Sequence, residues 1–220
     1  MKVTHLYHSG CLVELEKHIL LFDYYKGELH LNQNKPLYIF VSHSHYDHFH
    51  KDIFHIQHPH ITYIFSSSIQ DSSNAYYLQP NQTYTIDDIT IQTLLSTDEG
   101  CAFIVHVEKT NIYHAGDLNW WHWEGEPQKD NDYQRIIYQQ QINLIQQPID
   151  IAFVVVDSRQ EKDYLLGLQY YLDHVQTKYI FPIHYFGNYS ISKQLKKEKL
   201  HNPYHAKIIY VDHENQQFQL

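Results

Sequence analysis

One short segment constrains this chain more than any other, because Ser42-His43-Ser44-His45-Tyr46-Asp47-His48 directly follows the apolar run of residues 37–41. An uninterrupted apolar run of this length predicts a strand that is covered on both faces. Imidazole and carboxylate ligands together suit zinc, iron or manganese. The alternative is a polar loop with chance histidine pairs, since the chain contains 19 histidines. The order H-x-H-x-D-H at a strand end favours the metal site.

The length and composition are those expected of one globular domain covering residues 1–220. Cys11 and Cys101 lie in separate apolar contexts, which is typical of small core residues rather than of zinc ligands or a disulfide. The amino-terminal residues lack a signal-peptide pattern, and no apolar run approaches the length of a membrane span. We therefore expect a cytoplasmic protein with no membrane partner.

The hydrophobic pattern predicts a layered α/β architecture. Apolar or alternating runs predict strands over residues 2–7, 11–16, 19–22, 37–41, 61–65, 84–86, 89–95, 101–107, 112–115, 151–156, 179–183 and 208–211. Apolar residues at helical spacing predict helices over residues 49–56, 132–146, 165–175 and 190–198. Strands with interspersed helices and no evident linker favour two or more packed layers around one core.

Polar side chains follow several of the predicted strands. Asp23, Asp117, Asp157 and His184 each come at or just beyond the end of an apolar run, as the histidine motif does. A single aspartate in this position is more often a cap or turn residue. In open α/β sheets, however, ligands bind outside the carboxyl ends of the strands. We therefore expect these side chains to converge on one site.

The order of these residues resembles the metallo-β-lactamase fold superfamily, whose members are four-layer αββα sandwiches with one or two metals at the sandwich edge. The resemblance is carried by Asp23, the motif at residues 43–48, Gly116-Asp117 and the late His184. The segments at residues 8–10 and 114–121 resemble, more weakly, small stand-alone bacterial hydrolases of the lactonase-like type. The resemblance implies one or two divalent transition metals, with zinc expected first and manganese or iron as alternatives.

The same resemblance implies a role for each matching residue. His43 and His45 would bind the first metal, Asp47 and His48 the second, Asp117 would bridge the two, and His184 would complete the second site. Asp23 would support the histidine loop through hydrogen bonds. His8 would act similarly, or would be a plain histidine at a strand end.

The sequence departs from the superfamily at one ligand of the first metal. A third histidine is expected in the loop before the strand that precedes Asp117, but residues 96–100 read Ser-Thr-Asp-Glu-Gly. His106 lies too far along the next strand to substitute. Either Asp98 replaces the missing ligand or the protein holds one metal. A carboxylate in this position would favour manganese or iron over zinc.

Two further features concern the substrate. Trp120, Trp121 and Trp123 follow Asp117 closely and would form either an apolar substrate wall or core packing under a loop. Arg159 would either bind a substrate carboxylate or phosphate, or pair with Asp157.

The chemistry implied by the resemblance is hydrolysis of a small-molecule ester, lactone or phosphoester through a metal-bound hydroxide. Asp47 and Asp117 are the candidate catalytic residues, and Asp47 would also accept a proton. A nuclease or RNA-processing phosphodiesterase of the same superfamily is a competing reading, but the net charge of -9 argues against a nucleic-acid partner. The third reading is a non-catalytic metal-binding protein. Oligomeric state stays open.

Overall fold

The structure is a computed structural model that describes residues 1–71 and 73–220. The first six strands are β1 (Lys2–Tyr7), β2 (Gly10–Glu14), β3 (Ile19–Phe22), β4 (Leu37–Val41), β5 (Ile61–Ser66) and β6 (Tyr76–Leu78). The next seven are β7 (Thr83–Ile86), β8 (Ile89–Leu95), β9 (Cys101–Val107), β10 (Thr110–His114), β11 (Ile149–Val155), β12 (Thr177–Ile183) and β13 (Lys207–Ile208). The last strand is β14 (Gln216–Gln219), and the α-helices are α1 (Gln128–Ile142), α2 (Leu166–His174) and α3 (Ser190–Leu195).

Each half of the chain builds most of one seven-stranded mixed sheet. The first sheet has the order β14-β1-β2-β3-β4-β5-β6 and the second has the order β13-β12-β11-β10-β9-β8-β7. Strands β3 to β6 run parallel in the first sheet, and β10 to β13 run parallel in the second. The carboxyl ends of these parallel strands therefore lie at one edge of each sheet.

The alternation of side chains along β3 explains how the first sheet is buried on both faces. Leu20 and Phe22 belong to the large core cluster between the sheets, whereas Ile19 and Leu21 belong to a second cluster on the opposite face. The ring of Phe22 lies 6.2 Å from that of Phe153 on β11, between centroids. Successive strand residues point to opposite faces, so a strand with apolar residues at every position packs on both sides.

The helices cover the two sheets unequally. On the second sheet, Tyr113 of β10 stacks on Tyr171 of α2 with ring centroids 5.3 Å apart. On the first sheet, the outer face is covered by a 3₁₀ helix (Lys51–His55), which contributes Ile53, and by neighbouring loop residues. The predicted α/β sandwich is confirmed, with a thin outer layer on the first sheet.

The carboxyl terminus differs from the prediction. The strand expected over residues 208–211 is only the two-residue β13, and the chain continues into β14, which pairs antiparallel with β1. The segment that forms β14 has the sequence Gln-Gln-Phe-Gln, so its pairing depends on backbone hydrogen bonds rather than on an apolar pattern. Among the described residues, none of the helices has the length and apolarity needed to cross a membrane.

Candidate metal centre

The carboxyl ends of strands from both sheets meet at one edge of the sandwich. His8 follows β1 and the histidine motif follows β4 in the first sheet, while Asp117 and His184 follow β10 and β12 in the second. Asp98 lies in the loop between β8 and β9. The expected convergence is therefore present, and it includes side chains from both sheets.

Ser42 connects the start of the histidine loop to Asp23 through two hydrogen bonds. Its backbone amide donates to Asp23 Oδ1 at 2.8 Å, and its hydroxyl donates to Asp23 Oδ2 at 2.7 Å. The same Oδ2 accepts from His48 Nδ1 at 2.8 Å. Because Asp23 occupies Nδ1 of His48, the Nε2 atom of that ring is directed towards the site.

One group of potential ligands consists of His8, Asp47, His48 and His184, whose donor atoms all lie within 4.8 Å of one another. Asp117 Oδ1 lies 3.1 Å from His48 Nε2 and 3.2 Å from His184 Nε2. All four members of the group are buried.

The second group consists of His43, His45, Asp98 and Asp117, with donor atoms within the same 4.8 Å limit. His43 Nε2 lies 3.0 Å from His45 Nδ1 and 3.5 Å from Asp117 Oδ2. Asp98 Oδ2 lies 3.6 Å from His45 Nδ1, so a carboxylate stands beside the histidine pair. Asp117 thus faces one group with Oδ1 and the other with Oδ2.

Buried polar atoms without a hydrogen-bond partner indicate whether the two groups of side chains fit a metal ion. His48 Nε2 and Asp117 Oδ1 are buried and have no hydrogen-bond partner among the described residues, although they lie 3.1 Å apart. Their approach lacks the direction that a hydrogen bond requires. Buried polar atoms are normally paired, so such exceptions at a cluster of metal-binding side chains fit the coordination of a cation.

The electrostatics of the cluster lead to the same conclusion. Burial lowers the pKa of His43 to about 4, which leaves a neutral imidazole able to act as a ligand. Burial alone would raise the pKa of Asp117, but the facing imidazoles of His48 and His184 hold it well below its ordinary value. Burial opposes protonation of His48 and His184, but the Asp117 carboxylate holds the pKa of His48 well above its ordinary value and raises that of His184 to about 9. A divalent ion bound here would replace their protons as the counter-charge of Asp117.

His184 is held in place by Asp157, an aspartate at a strand end for which the sequence did not predict this contact. Asp157 Oδ2 accepts from His184 Nδ1 at 2.9 Å, which directs Nε2 of the ring towards Asp117. The Asp157 carboxylate also accepts from Arg159 Nε. Of the two readings of Arg159, the pair with Asp157 is therefore present in the structure.

A cavity of about 360 Å³ opens over the cluster. It is lined by Asp47, Asp98 and Asp117 together with Trp121 and other residues. Of the two alternatives for Trp120, core packing is the one present in the structure, because its indole packs against Tyr170 of α2, with ring centroids 6.1 Å apart. Trp123 lines the cavity together with Trp121.

Two mixed sheets that hold His and Asp side chains at their common edge define a protein of the metallo-β-lactamase fold class. The sequence profile described as a beta-lactamase superfamily domain matches residues 2–121, which is more than half of the chain. The chain therefore belongs to the beta-lactamase superfamily. The match includes every candidate ligand except His184. No functionally curated protein matches the chain significantly.

Solved structures share the whole fold. A provisionally assigned metal-dependent hydrolase from Parabacteroides distasonis has a TM-score of 0.67 and 17% identity, covering 97% of this chain and 93% of its own. Igni18, a metallo hydrolase from Ignicoccus hospitalis, has a TM-score of 0.64 and 14% identity over 100% of both chains. CmlA, a diiron β-hydroxylase from Streptomyces venezuelae, has a TM-score of 0.64 and 9% identity, covering 100% of this chain and 54% of its own. At these identities the likeness establishes the fold alone.

Proposed function

We propose that this protein is a metal-dependent hydrolase of a small-molecule ester, lactone or phosphoester. The observation that carries the proposal is the position of Asp117, which presents one carboxylate oxygen to each of two groups of potential ligands. The first metal would be held by His43, His45, Asp98 and Asp117, and the second by Asp47, His48, Asp117 and His184. A shared carboxylate is the arrangement expected of a two-metal site.

His8 has a different role in this proposal, because its tautomer is determined by its neighbours. The backbone amide of Phe186 donates to His8 Nδ1 at 3.2 Å, so a neutral ring carries its proton on Nε2. His8 Nε2 lies 3.1 Å from Asp47 Oδ2. His8 Nε2 has no directed hydrogen bond among the described residues and belongs to the same group of potential ligands. His8 would therefore orient the Asp47 carboxylate while Nε2 carries a proton, and could join the ligands of the second metal when it does not.

A metal ion held by these residues would supply Lewis-acid chemistry for the hydrolysis of an ester or phosphoester near neutral pH. Asp47 lines the cavity and keeps Oδ1 available to accept a proton, since His8 approaches Oδ2. Asp157 and Asp23 hold the imidazoles of His184 and His48 through their Nδ1 atoms. These contacts orient the side chains before the substrate arrives, which removes reorganisation from the reaction.

The cavity supports a small substrate rather than a nucleic acid. Its volume of about 360 Å³ lies within the range of small-molecule sites. A nucleic-acid groove needs many phosphate contacts from lysine and arginine, whereas the chain has a net charge of -9. Zinc is the first expectation for the metal, and the carboxylate of Asp98 favours manganese or iron as the alternative.

A non-catalytic metal-binding protein is the second candidate. It is favoured by the loop at residues 96–100, which brings Asp98 rather than a histidine beside His43 and His45. If the first site is weak, the protein would hold one ion at the second site and would lack the pair of ions that two-metal catalysis needs. This candidate predicts metal retention without turnover.

Elemental analysis of the purified protein tests the proposal, followed by a panel of chromogenic esters, lactones and phosphoesters. We expect one to two transition-metal ions per chain. Asp117→Ala and His184→Ala should each lose at least one ion. His122→Ala is the matched control, because this partly exposed histidine lies beside Asp163 and outside both groups of ligands.

The outcomes separate the candidates. Protein that is purified without metal and ignores added zinc, manganese and iron would overturn the hydrolase and the metal-binding candidates together. Metal retention with no turnover on the whole panel would favour the non-catalytic candidate. Equal metal loss in His122→Ala and Asp117→Ala would contradict the ligand assignment.

A further inference from the structure

The walls of the cavity restrict the kind of molecule that can lie over the candidate metal centre. Trp121 and Trp123 stack almost in parallel, with ring centroids 5.7 Å apart and planes 7° apart. The Trp121 indole N–H donates to the backbone oxygen of Asp117 at 3.1 Å, and its ring lies 5.4 Å from His184. The aromatic wall is thus attached directly to two of the candidate ligands.

Trp123 is fixed by its backbone. Its N–H donates to Asn131 Oδ1 at 3.0 Å, and Asn131 Nδ2 donates to the carbonyl of Trp123 at 3.1 Å. Asn131 lies in the first turn of α1, so these two hydrogen bonds attach the backbone of Trp123 to the helix. Trp121 is only 6% exposed, whereas Trp123 is half-buried, so the stacked pair offers the cavity a rigid apolar edge, mainly from Trp123. Such an edge costs little entropy to hold and suits a flat apolar part of a ligand.

Arg159 gives the same cavity a positive charge. Among the described residues that line it, Arg159 is the one lysine or arginine. Its Nε donates to both oxygens of Asp157, at 3.0 and 2.9 Å, which fixes the plane of the guanidinium group. Nη1 has no hydrogen-bond partner within residues 1–71 and 73–220, and the side chain is 56% exposed. A fixed guanidinium with a free edge is suited to bind a carboxylate or phosphate.

The pair with Asp157 fixes Arg159 beside the candidate ligands. It joins a 56% exposed guanidinium to a 2% exposed carboxylate that also accepts from His184, so Arg159 is oriented while one edge of its guanidinium stays free. The guanidinium carbon lies 5.3 Å from the ring centroid of Phe186, which also lines the cavity. Phe186 and Asp157 therefore hold Arg159 at the cavity rather than away from it. In the same cavity, the buried amide oxygen of Gln134 has no partner among the described residues.

We propose that the substrate is an anionic small molecule with a flat apolar part. Arg159 Nη1 binds its carboxylate or phosphate, the indoles of Trp121 and Trp123 bind the apolar part, and Gln134 pairs with a polar group. This inference rests on the proposed function, because it specifies the substrate class of the same cavity. The anionic group lies beside the reacting bond, since Asp157 joins Arg159 to His184.

Binding of non-hydrolysable probes tests the substrate class without any turnover. The probes are benzoate and phenylphosphonate as anions, benzamide as the neutral analogue, and methylphosphonate as the anion without a ring. Tryptophan fluorescence and calorimetry measure each Kd on the protein as purified, with its metal content determined in parallel. The stronger of the two ring anions distinguishes a carboxylate substrate from a phosphate substrate.

We expect the anions to bind more tightly than benzamide, and Arg159→Gln to reduce that preference by about 10- to 100-fold, the range for a charge-assisted hydrogen bond. Arg135→Gln is the matched control, because the chain's other arginine pairs with Asp132 on α1 outside the cavity. Trp123→Leu should reduce the preference for phenylphosphonate over methylphosphonate by about 2- to 10-fold.

Arg159→Gln must retain the wild-type metal content for this comparison, and Arg159→Met, which also removes the charge but keeps an apolar stem beside Phe186, replaces it otherwise. An unchanged anion preference in the Arg159 variant, or equal binding of benzoate, phenylphosphonate and benzamide, would overturn the inference. Either result leaves the hydrolase proposal standing if metal and turnover are present. Absence of metal with a clear Arg159-dependent preference would overturn the hydrolase proposal alone.

Discussion

Gly100 offers a sharp test of how the two candidate ligand loops are held together. Its φ is +73°, and a Cβ atom placed on it would lie 2.0 Å from the carbonyl oxygen of Ser42. That carbonyl accepts the hydrogen bond from the backbone amide of Cys101 at 3.1 Å. An alanine at this position must therefore displace the backbone at the start of the histidine loop.

The expected cost of Gly100→Ala has two parts. The left-handed backbone costs an L-residue about 1–2 kcal/mol. Displacing Ser42 also breaks its hydrogen bond with Cys101, and leaving these buried groups unpaired costs about 1–3 kcal/mol. The sum is a loss of about 2–5 kcal/mol in the free energy of unfolding.

Gly125→Ala is the matched control, because Gly125 also has a positive φ, +90°, but a Cβ atom there would meet nothing within 4 Å. It should lose only the backbone part, about 1–2 kcal/mol. Urea unfolding followed by tryptophan fluorescence measures both variants, and elemental analysis measures their metal content. Equal loss of stability in the two variants, with wild-type metal in both, would refute the reasoning from the Ser42 contact.

Two further predictions concern other parts of the chain. Asp98→Ala should lose one ion in elemental analysis, and unchanged metal content in this variant would remove Asp98 from the ligand set. Asp98→His should shift the retained metal towards zinc, because imidazole replaces a harder oxygen ligand. Glu108→Gln tests a contact between loops of the two sheets. Burial opposes ionisation of Glu108, but hydrogen bonds from His18 and the amide of Lys17 hold its pKa below the ordinary value. Its stabilisation is present above the unfolded pKa of about 4.3 and disappears as the pH falls through the lower folded pKa. Urea unfolding should therefore show Glu108→Gln to be less stable than the wild type at pH 7 and similar to it in strong acid; a constant difference would contradict the prediction.

The sequence was most informative where local pattern and burial agree. Strand β4 has apolar residues at every position because it is buried on both faces, so both the strand and the motif after it could be predicted. The pairing of β14 with β1 could not be predicted, since a polar four-residue segment joins a strand about 200 residues away through backbone hydrogen bonds.

The candidate site, like the fold, could be predicted only in part from the sequence. The order of Asp23, the histidine motif, Asp117 and His184 identified the residues that meet, because strand ends converge in this architecture. The direction of a side chain was not available from that order. Which of the tryptophans face the cavity and which pack in the core could not be predicted for this reason, and the support of His184 by Asp157 depends on a side-chain rotamer.

Each of the two groups of candidate ligands combines side chains from both sheets. In the group that contains His8, for example, His48 comes from the first sheet and His184 from the second. An ion bound there acts as a cross-link between the two halves of the chain. Its binding energy would be coupled to the docking of the sheets, and we therefore expect the stability of the fold to rise with the free metal concentration. A chelator would act on this protein as a mild denaturant, because it removes the counter-charge that keeps three carboxylates together where the sheets meet.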